Sequence, residues 1–263
     1  MGSSRLPGKV LLDIAGKSMI QRVIERARLA RLLDAVAVAT TVDVSDDAVA
    51  AFASSMQVAC TRGSLHDVLD RYFQAARVHE ADIIVRITAD CPLLDPALVD
   101  QAIETLLDGG YDFVANRLPP PFERTYPIGL DVETCTFAAL ERAWREADQP
   151  YQREHVMPFI YENVELLALD GRISTGLSPR GFKIAVLNHI PDCGSLRWTV
   201  DTPEDLEFIR QLYGQLKDKS DFTWYDVLAI TREHPELGRI NSQVRHKMMD
   251  ETDSRFRDDL KRS

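Results

Sequence analysis

No stretch of this sequence approaches the roughly 18 uninterrupted apolar residues that a membrane-spanning helix requires, and its start lacks the apolar core of a secretion signal. An excess of basic charge is missing too. Acidic side chains, 41 of them, outnumber 31 basic ones, for a net charge of −10. A general nucleic-acid surface needs the opposite balance. Cysteine is scarce: Cys60, Cys91, Cys135 and Cys193 stand far apart and form no CxxC pair. That spacing argues for reduced thiols and against a disulfide framework or zinc site. Internal repeats and low-complexity tracts do not occur. These absences predict a soluble, cytoplasmic protein with no nucleic-acid partner and no membrane insertion. What remains is a chain of 263 residues, 45% apolar, able to bury a large α/β core. An acidic total still permits a local cluster of arginine and lysine to hold a small anion.

Short apolar runs alternate with longer amphipathic ones through the first half. Residues 35–40 and 82–87 are rich in β-branched and small apolar side chains, as buried parallel strands are. Residues 18–33, 45–54, 64–79 and 96–107 carry helical periodicity; Asp95-Pro96 supplies an N-cap followed by proline at the first helical position. Such alternation predicts a three-layer α/β fold, a mostly parallel sheet flanked by helices. After Asn116 the pattern changes to a proline-containing loop over 117–129, then strands near 130–135, 164–169 and 183–188 with helices near 136–147, 151–161 and 203–213. The residues beyond about 222 read as helical and increasingly charged, with a fraying end. The expected organisation is a main domain over 1–215, with 117–161 as an insertion, and a helical extension over 216–263.

Three segments carry chemistry. The chain opens Gly2-Ser3-Ser4-Arg5-Leu6-Pro7-Gly8-Lys9. Small residues let a backbone wrap closely around phosphate, and Arg5 and Lys9 add the charge that a triphosphate needs. Read alone, the Gly-Ser-Ser start equally suits an unstructured tail. The second segment, Thr88-Ala89-Asp90-Cys91-Pro92, follows a predicted strand, and ligands bind outside the carboxyl ends of parallel strands. Asp95 suits the cap, which leaves Asp90 for chemistry. The third is Arg197-Trp198-Thr199-Val200-Asp201-Thr202-Pro203-Glu204-Asp205, where Asp201 stands both as a possible ligand and as part of a helix start.

With Arg5-Leu6-Pro7-Gly8-Lys9, the strand-end Asp90 and the Val200-Asp201-Thr202-Pro203-Glu204-Asp205-Leu206 run, the chain resembles the cytidylyltransferase family over nearly its whole length. The branch it most resembles is that of spore-coat polysaccharide biosynthesis protein SpsF; it is also similar to 3-deoxy-manno-octulosonate cytidylyltransferase. The resemblance implies a Rossmann-like nucleotidyltransferase fold, related to the GT-A glycosyltransferase form, with a small β element. In such relatives an apolar strand feeds the phosphate loop, and this sequence begins at the loop, so the expected fold lacks its first β-strand.

The resemblance further implies transfer of CMP from CTP to a sugar, an acidic or modified surface-polysaccharide sugar, with release of pyrophosphate. Asp90 and Asp201 become Mg²⁺ ligands and, with Arg5 and Lys9, the catalytic set. Gly2, Ser3, Ser4, Arg62, Gly63, Thr88 and Ala89 fall to the nucleotide, together with Arg5, Lys9 and Asp90. Asn116, Gly129, Asp131, Arg153, Glu154 and His155 fall to the sugar. A homodimer is implied as well. Two other readings stay open: a glycosyltransferase that uses Asp131-Val132-Glu133 as a metal motif, and a catalytically impaired member.

Overall fold

A computed structural model describes residues 2–3, 5–168, 171–217 and 219–245. Ser4, assigned to the nucleotide, and the end expected to fray lie outside the described residues. After the loop, a short hairpin of β1 (Asp13–Ile14) and β2 (Lys17–Ser18) leads into α1 (Met19–Ala27). There follow β3 (Ala37–Thr41), α2 (Asp47–Ser55), β4 (Ala59–Gly63), α3 (Val68–Val78) and β5 (Ile83–Arg86). Next come α4 (Pro96–Gly109), β6 (Phe113–Ala115) and, beyond the proline-containing loop, β7 (Glu133–Thr136). Helices α5 (Phe137–Glu146), α6 (Pro150–His155) and α7 (Pro158–Tyr161) precede β8 (Leu167–Ala168), β9 (Ile173–Leu177) and β10 (Lys183–Leu187). Helices α8 (Pro203–Leu216), α9 (Trp224–Glu233) and α10 (Leu237–Ile240) complete the order.

Local chemistry explains the helix starts. Ser18 caps α1 by accepting from Gln21 N, and Asp95 caps α4 by accepting from Ala97 N, with Pro96 at the first turn. Thr202 and Asp205 form a reciprocal capping box on α8, with acids in the first turn where the helix dipole favours them. The other Asp95 oxygen accepts from Trp224 N at 2.6 Å, so the α4 cap also holds the start of α9.

The sheet is mixed and divided, where the alternation of elements predicts a mostly parallel one. The larger sheet runs β5-β7-β6-β10-β9-β8. Only β6 and β10 pair in parallel within it. The reason is local: the chain leaves β6, turns back through 116–132 and inserts β7 antiparallel between β5 and β6. Strands β3 and β4 pair in parallel with each other as a separate ladder, and β5 is an edge of the larger sheet.

Side chains alternate across the larger sheet with the period of two that strands impose. Val114, Val132, Ala185 and Leu187 join one core with α1, α4, α8 and α9. Phe113, Ala115, Cys135, Ile184 and Val186 join the other with α3, α5 and α7. Three layers result. The first core takes in Phe222, Trp224, Val227, Leu228 and Leu237, so the segment after α8 is packed on the same interior.

Two segments are knitted together at one end of the sheet. Ile128 N donates to Leu196 O at 2.8 Å and Trp198 N to Ile128 O at 2.7 Å. Gly129, with φ of 105°, lies so close that an added Cβ would stand 2.5 Å from Thr199 N. Both the backbone conformation and the space demand glycine there. Gly129→Ala is expected to cost at least about 2 kcal/mol of unfolding free energy in urea titrations, because neither backbone can give way.

Candidate active site

Strand β5 ends at Arg86, and the chain turns immediately through Thr88 and Cys91, where Cys91 N donates to Thr88 O at 3.2 Å. This turn carries Asp90. Val200 N and Thr199 Oγ1 both donate to the Asp90 carbonyl, at 2.9 and 3.1 Å, which fixes the 199–201 segment beside it. Asp90 and Asp201, remote in sequence, therefore face each other.

The group between them is Lys9. It begins a single 3-10 turn (Lys9–Leu11) that follows Gly8, whose φ of 69° turns the chain inward. Lys9 Nζ donates to Asp90 Oδ2 at 2.8 Å, Asp201 Oδ1 at 2.8 Å and Val200 O at 2.7 Å. All three ammonium protons are thereby satisfied. Burial works against the Lys9 charge, but Asp90 and Asp201 outweigh it and hold the pKa above 10.5. Burial likewise opposes the Asp201 charge, and Lys9 with Arg5 and Arg197 overrides it, lowering the carboxyl to about 2.

Behind Asp201 stands a supporting pair. Arg197 donates through Nε and Nη2 to the two Asp205 oxygens, both at 2.9 Å, and reaches Asp201 Oδ2 at 2.9 Å. Asp205 is fully buried and also accepts from the backbone of Asp201 and Thr202 and from Asn241 Nδ2. The helix cap of α8 is thus also the clamp that orients Asp201.

A cavity of about 260 Å³ opens in front of the two acids. Arg5, Thr88, Asp90, Thr199 and Asp201 line one part, and Arg86, Arg117, Asp131 and Glu133 another. Arg5 reaches Asp201 at 3.1 Å. Among the predicted nucleotide residues, Ser3 accepts from Leu6 N at 3.2 Å and shapes the loop next to Gly2. Ala89 packs among the side chains between α1, α2 and β3. Arg62 holds the turn after β3, donating to Thr41 O at 2.8 Å and Asp47 Oδ1 at 2.7 Å. Gly63, at the end of β4, makes room for the Arg71 side chain. Neither lines the cavity.

Of the predicted sugar residues, Asp131 alone lines the cavity. Asn116 is buried with its amide joining two backbones, donating to Leu130 O at 2.7 Å and accepting from Val132 N at 2.9 Å. Gly129 is taken up by the close approach to Thr199. Arg153 pairs with Asp67 at 3.1 Å and with Trp144 O at 2.6 Å, and its neighbours Glu154 and His155 share α6 away from the cavity. Sequence reasoning passed over Arg86 and Arg117, and Glu133 stood there only within the Asp131-Val132-Glu133 segment. A charge inside the apolar run of 82–87 was the available signal, since buried strands seldom carry one unpaired. Arg86 donates to Glu133 Oε2 at 2.5 Å across the antiparallel β5–β7 pair. Asp131 accepts from Arg117 at 3.3 Å and from Arg124 at 3.1 Å. Both acids of Asp131-Val132-Glu133 are therefore held by arginine.

The charge cluster makes a pH prediction. The folded pKa of Asp201, about 2, lies below the ordinary 3.8. Its stabilising contribution is complete above about pH 4 and is lost as pH falls toward 2, on the order of 2 kcal/mol in total. Thermal unfolding followed over that range should show the loss in the native protein and a flatter profile in Asp201→Asn.

Comparison with known proteins agrees with this geometry. A family profile described as cytidylyltransferase matches residues 1–227. The uncharacterized protein MJ1063 of Methanocaldococcus jannaschii is 35% identical over 94% of this chain and 93% of its own. Spore coat polysaccharide biosynthesis protein SpsF of Bacillus subtilis is 26% identical, covering 90% of this chain and 92% of its own. A 3-deoxy-manno-octulosonate cytidylyltransferase of Solibacter usitatus is 33% identical over 80% and 90% of the two chains. The solved structure of a cytidylyltransferase from Leptospira borgpetersenii superposes with a TM-score of 0.80 at 30% identity, covering 94% of this chain and 95% of that one. With this profile match and these relatives, the chain belongs to the cytidylyltransferase family and is a nucleotidyltransferase.

Proposed function

We propose that the chain transfers CMP from CTP to a sugar hydroxyl in a Mg²⁺-dependent reaction. The observation that carries this reading is the convergence of Asp90 and Asp201 on one cation, the Lys9 ammonium, at the mouth of a cavity. Two carboxylates that jointly face a positive charge are a fitting donor set for Mg²⁺, which takes one or two carboxylates and fills its remaining positions with phosphate and water. Among the described residues no group of three or more acids, histidines or cysteines is placed to hold a metal ion. When bound there, the ion would neutralise phosphate charge and align the triphosphate.

The remaining chemistry belongs to the protein. The sugar hydroxyl oxygen forms a bond to the α-phosphorus as the bond to the pyrophosphate oxygen breaks, and the hydroxyl proton passes to solvent. In this reading Lys9 and Arg5, both paired with Asp201, offset the charge that accumulates on the phosphates, and Arg197 with Asp205 holds Asp201 in place. CTP as donor and a sugar as acceptor accord with the named activities of the relatives; spore coat polysaccharide synthesis, in the name of one of them, suggests the acceptor's use.

Pyrophosphate release measured with Mg²⁺, each of the four ribonucleoside triphosphates and a panel of sugars tests the reading. Turnover with CTP is expected, reduced at least about 100-fold in Asp90→Ala and in Lys9→Ala. Release from no triphosphate, or undiminished turnover in Asp90→Ala, would contradict it.

A further inference from the structure

The clamp behind Asp201 ends outside the residues that the cytidylyltransferase profile matches. That match stops at 227, and the clamp is completed by Asn241, at the end of α10. Asn241 is buried, and its Nδ2 donates twice, to the Arg197 carbonyl at 3.1 Å and to Asp205 Oδ1 at 3.0 Å. Both amide protons are thereby used. Asp205 is the acid whose two oxygens hold the Arg197 guanidinium, and Arg197 Nη2 also meets Asp201 Oδ2. One side chain therefore fixes Arg197 at its backbone and, through Asp205, at its charged end.

The same segment reaches the other arginine at Asp201. Val244 N donates to Asn241 O at 3.0 Å, and the next carbonyl, that of Arg245, accepts from Arg5 Nη1 at 3.4 Å. Arg5 Nη2 lies 3.1 Å from Asp201 Oδ2, the oxygen that Arg197 also meets. Asp201 Oδ1 is left to Lys9. Residues 241–245 thus touch both arginines that fix one Asp201 oxygen, and fixing one oxygen sets where the other points. Packing does not explain Asn241, since Leu237 and Ile240 already seat α10 on the first core. A buried amide is costly to desolvate, and a fully satisfied one rigidifies the groups it joins.

We propose that Asn241 is a positioning residue for the reaction, holding Asp201 in the geometry that receives the metal ion by acting through Asp205 and Arg197. This rests on the reading of Asp201 as a Mg²⁺ ligand. Groups that orient a ligating carboxylate from behind govern metal affinity, and losing one commonly costs about 10- to 100-fold. The helical end of the chain is then a working part of the site as well as a cover for the core.

Mn²⁺ binding to the full chain, in the presence of a non-hydrolysable CTP analogue, is followed by electron paramagnetic resonance. Asn241→Ala should weaken it about 10-fold and lower kcat for pyrophosphate release by a similar factor. Leu237→Ala, which removes apolar packing from the same helix, should lower the melting temperature yet leave both quantities within about 2-fold. Hydrogen exchange in the ligand-free protein gives a second readout. The Asp201 N–H, which donates to Asp205 Oδ2, should exchange at least about 10-fold faster in Asn241→Ala when referred to the amides of β6. In the native chain, the Asn241 side-chain amide resonances should shift when Mg²⁺ and the analogue bind, a measurement that stands even if the variant fails to fold. The proposal is overturned if Asn241→Ala melts earlier but binds Mn²⁺ as tightly as the native chain, if Asp201 exchange is unchanged, or if the Asn241 resonances do not move on binding. Failure of Mn²⁺ and the analogue to bind the native chain counts instead against the CMP-transfer reading, and the exchange measurement, which needs no ligand, still decides the role of Asn241.

Discussion

The Lys9 ammonium draws together two carboxylates that lie far apart in the sequence, and the neighbouring structure is arranged to hold them there. Asp90 arrives at the end of β5 and Asp201 just before α8. Their backbones are joined at Val200 N and the Asp90 carbonyl, and the 126–131 loop is laced to 196–198 on the other side. Without a cation between them, two such acids would repel in a partly desolvated setting. The lysine removes that penalty, and it comes from the same loop whose small residues and Arg5 suit phosphate. The two carboxylates and the loop at the start of the chain thus meet at one point.

Stability and function share residues here. Asp205 caps α8 and clamps Arg197, and Arg197 in turn orients Asp201. Asp95 caps α4 and fastens the start of α9. Gly129 permits the backbone contact that brings the cavity wall against the Asp201 segment. A buried carboxylate with several donors is rigid as well as stable, and rigidity is what a site acting by placement of charge requires.

Much of the fold was legible because its helices begin with strong local signals and its strands are continuous apolar runs. Asp95-Pro96 and Thr202-Pro203 marked their helices closely, and 82–87 marked β5. The strand β6 was hidden because Phe113–Ala115 is only three residues long, and β9 because Ile173–Leu177 carries Ser, Thr and Gly between its two apolar ends. The antiparallel insertion of β7 depends on how the 116–132 loop folds back, which no local pattern records.

The site divided in the same way. Asp90, Asp201, Lys9 and Arg5 stood in motifs tied to chain direction and phosphate chemistry, and the structure brings all four together. Asn116 and Arg153 looked like polar contacts for a sugar, but in the fold they join Leu130 to Val132 and α6 to Asp67. Arg117 carried no local signal, and the partner of Arg86 appears only when β5 and β7 pair. The account stands most directly on the position of the cation. Mn²⁺ added with CTP should broaden the amide resonances of Lys9, Asp90 and Asp201 before any others. Broadening that begins instead at Asp131 and Glu133, or elsewhere on the surface, would contradict it.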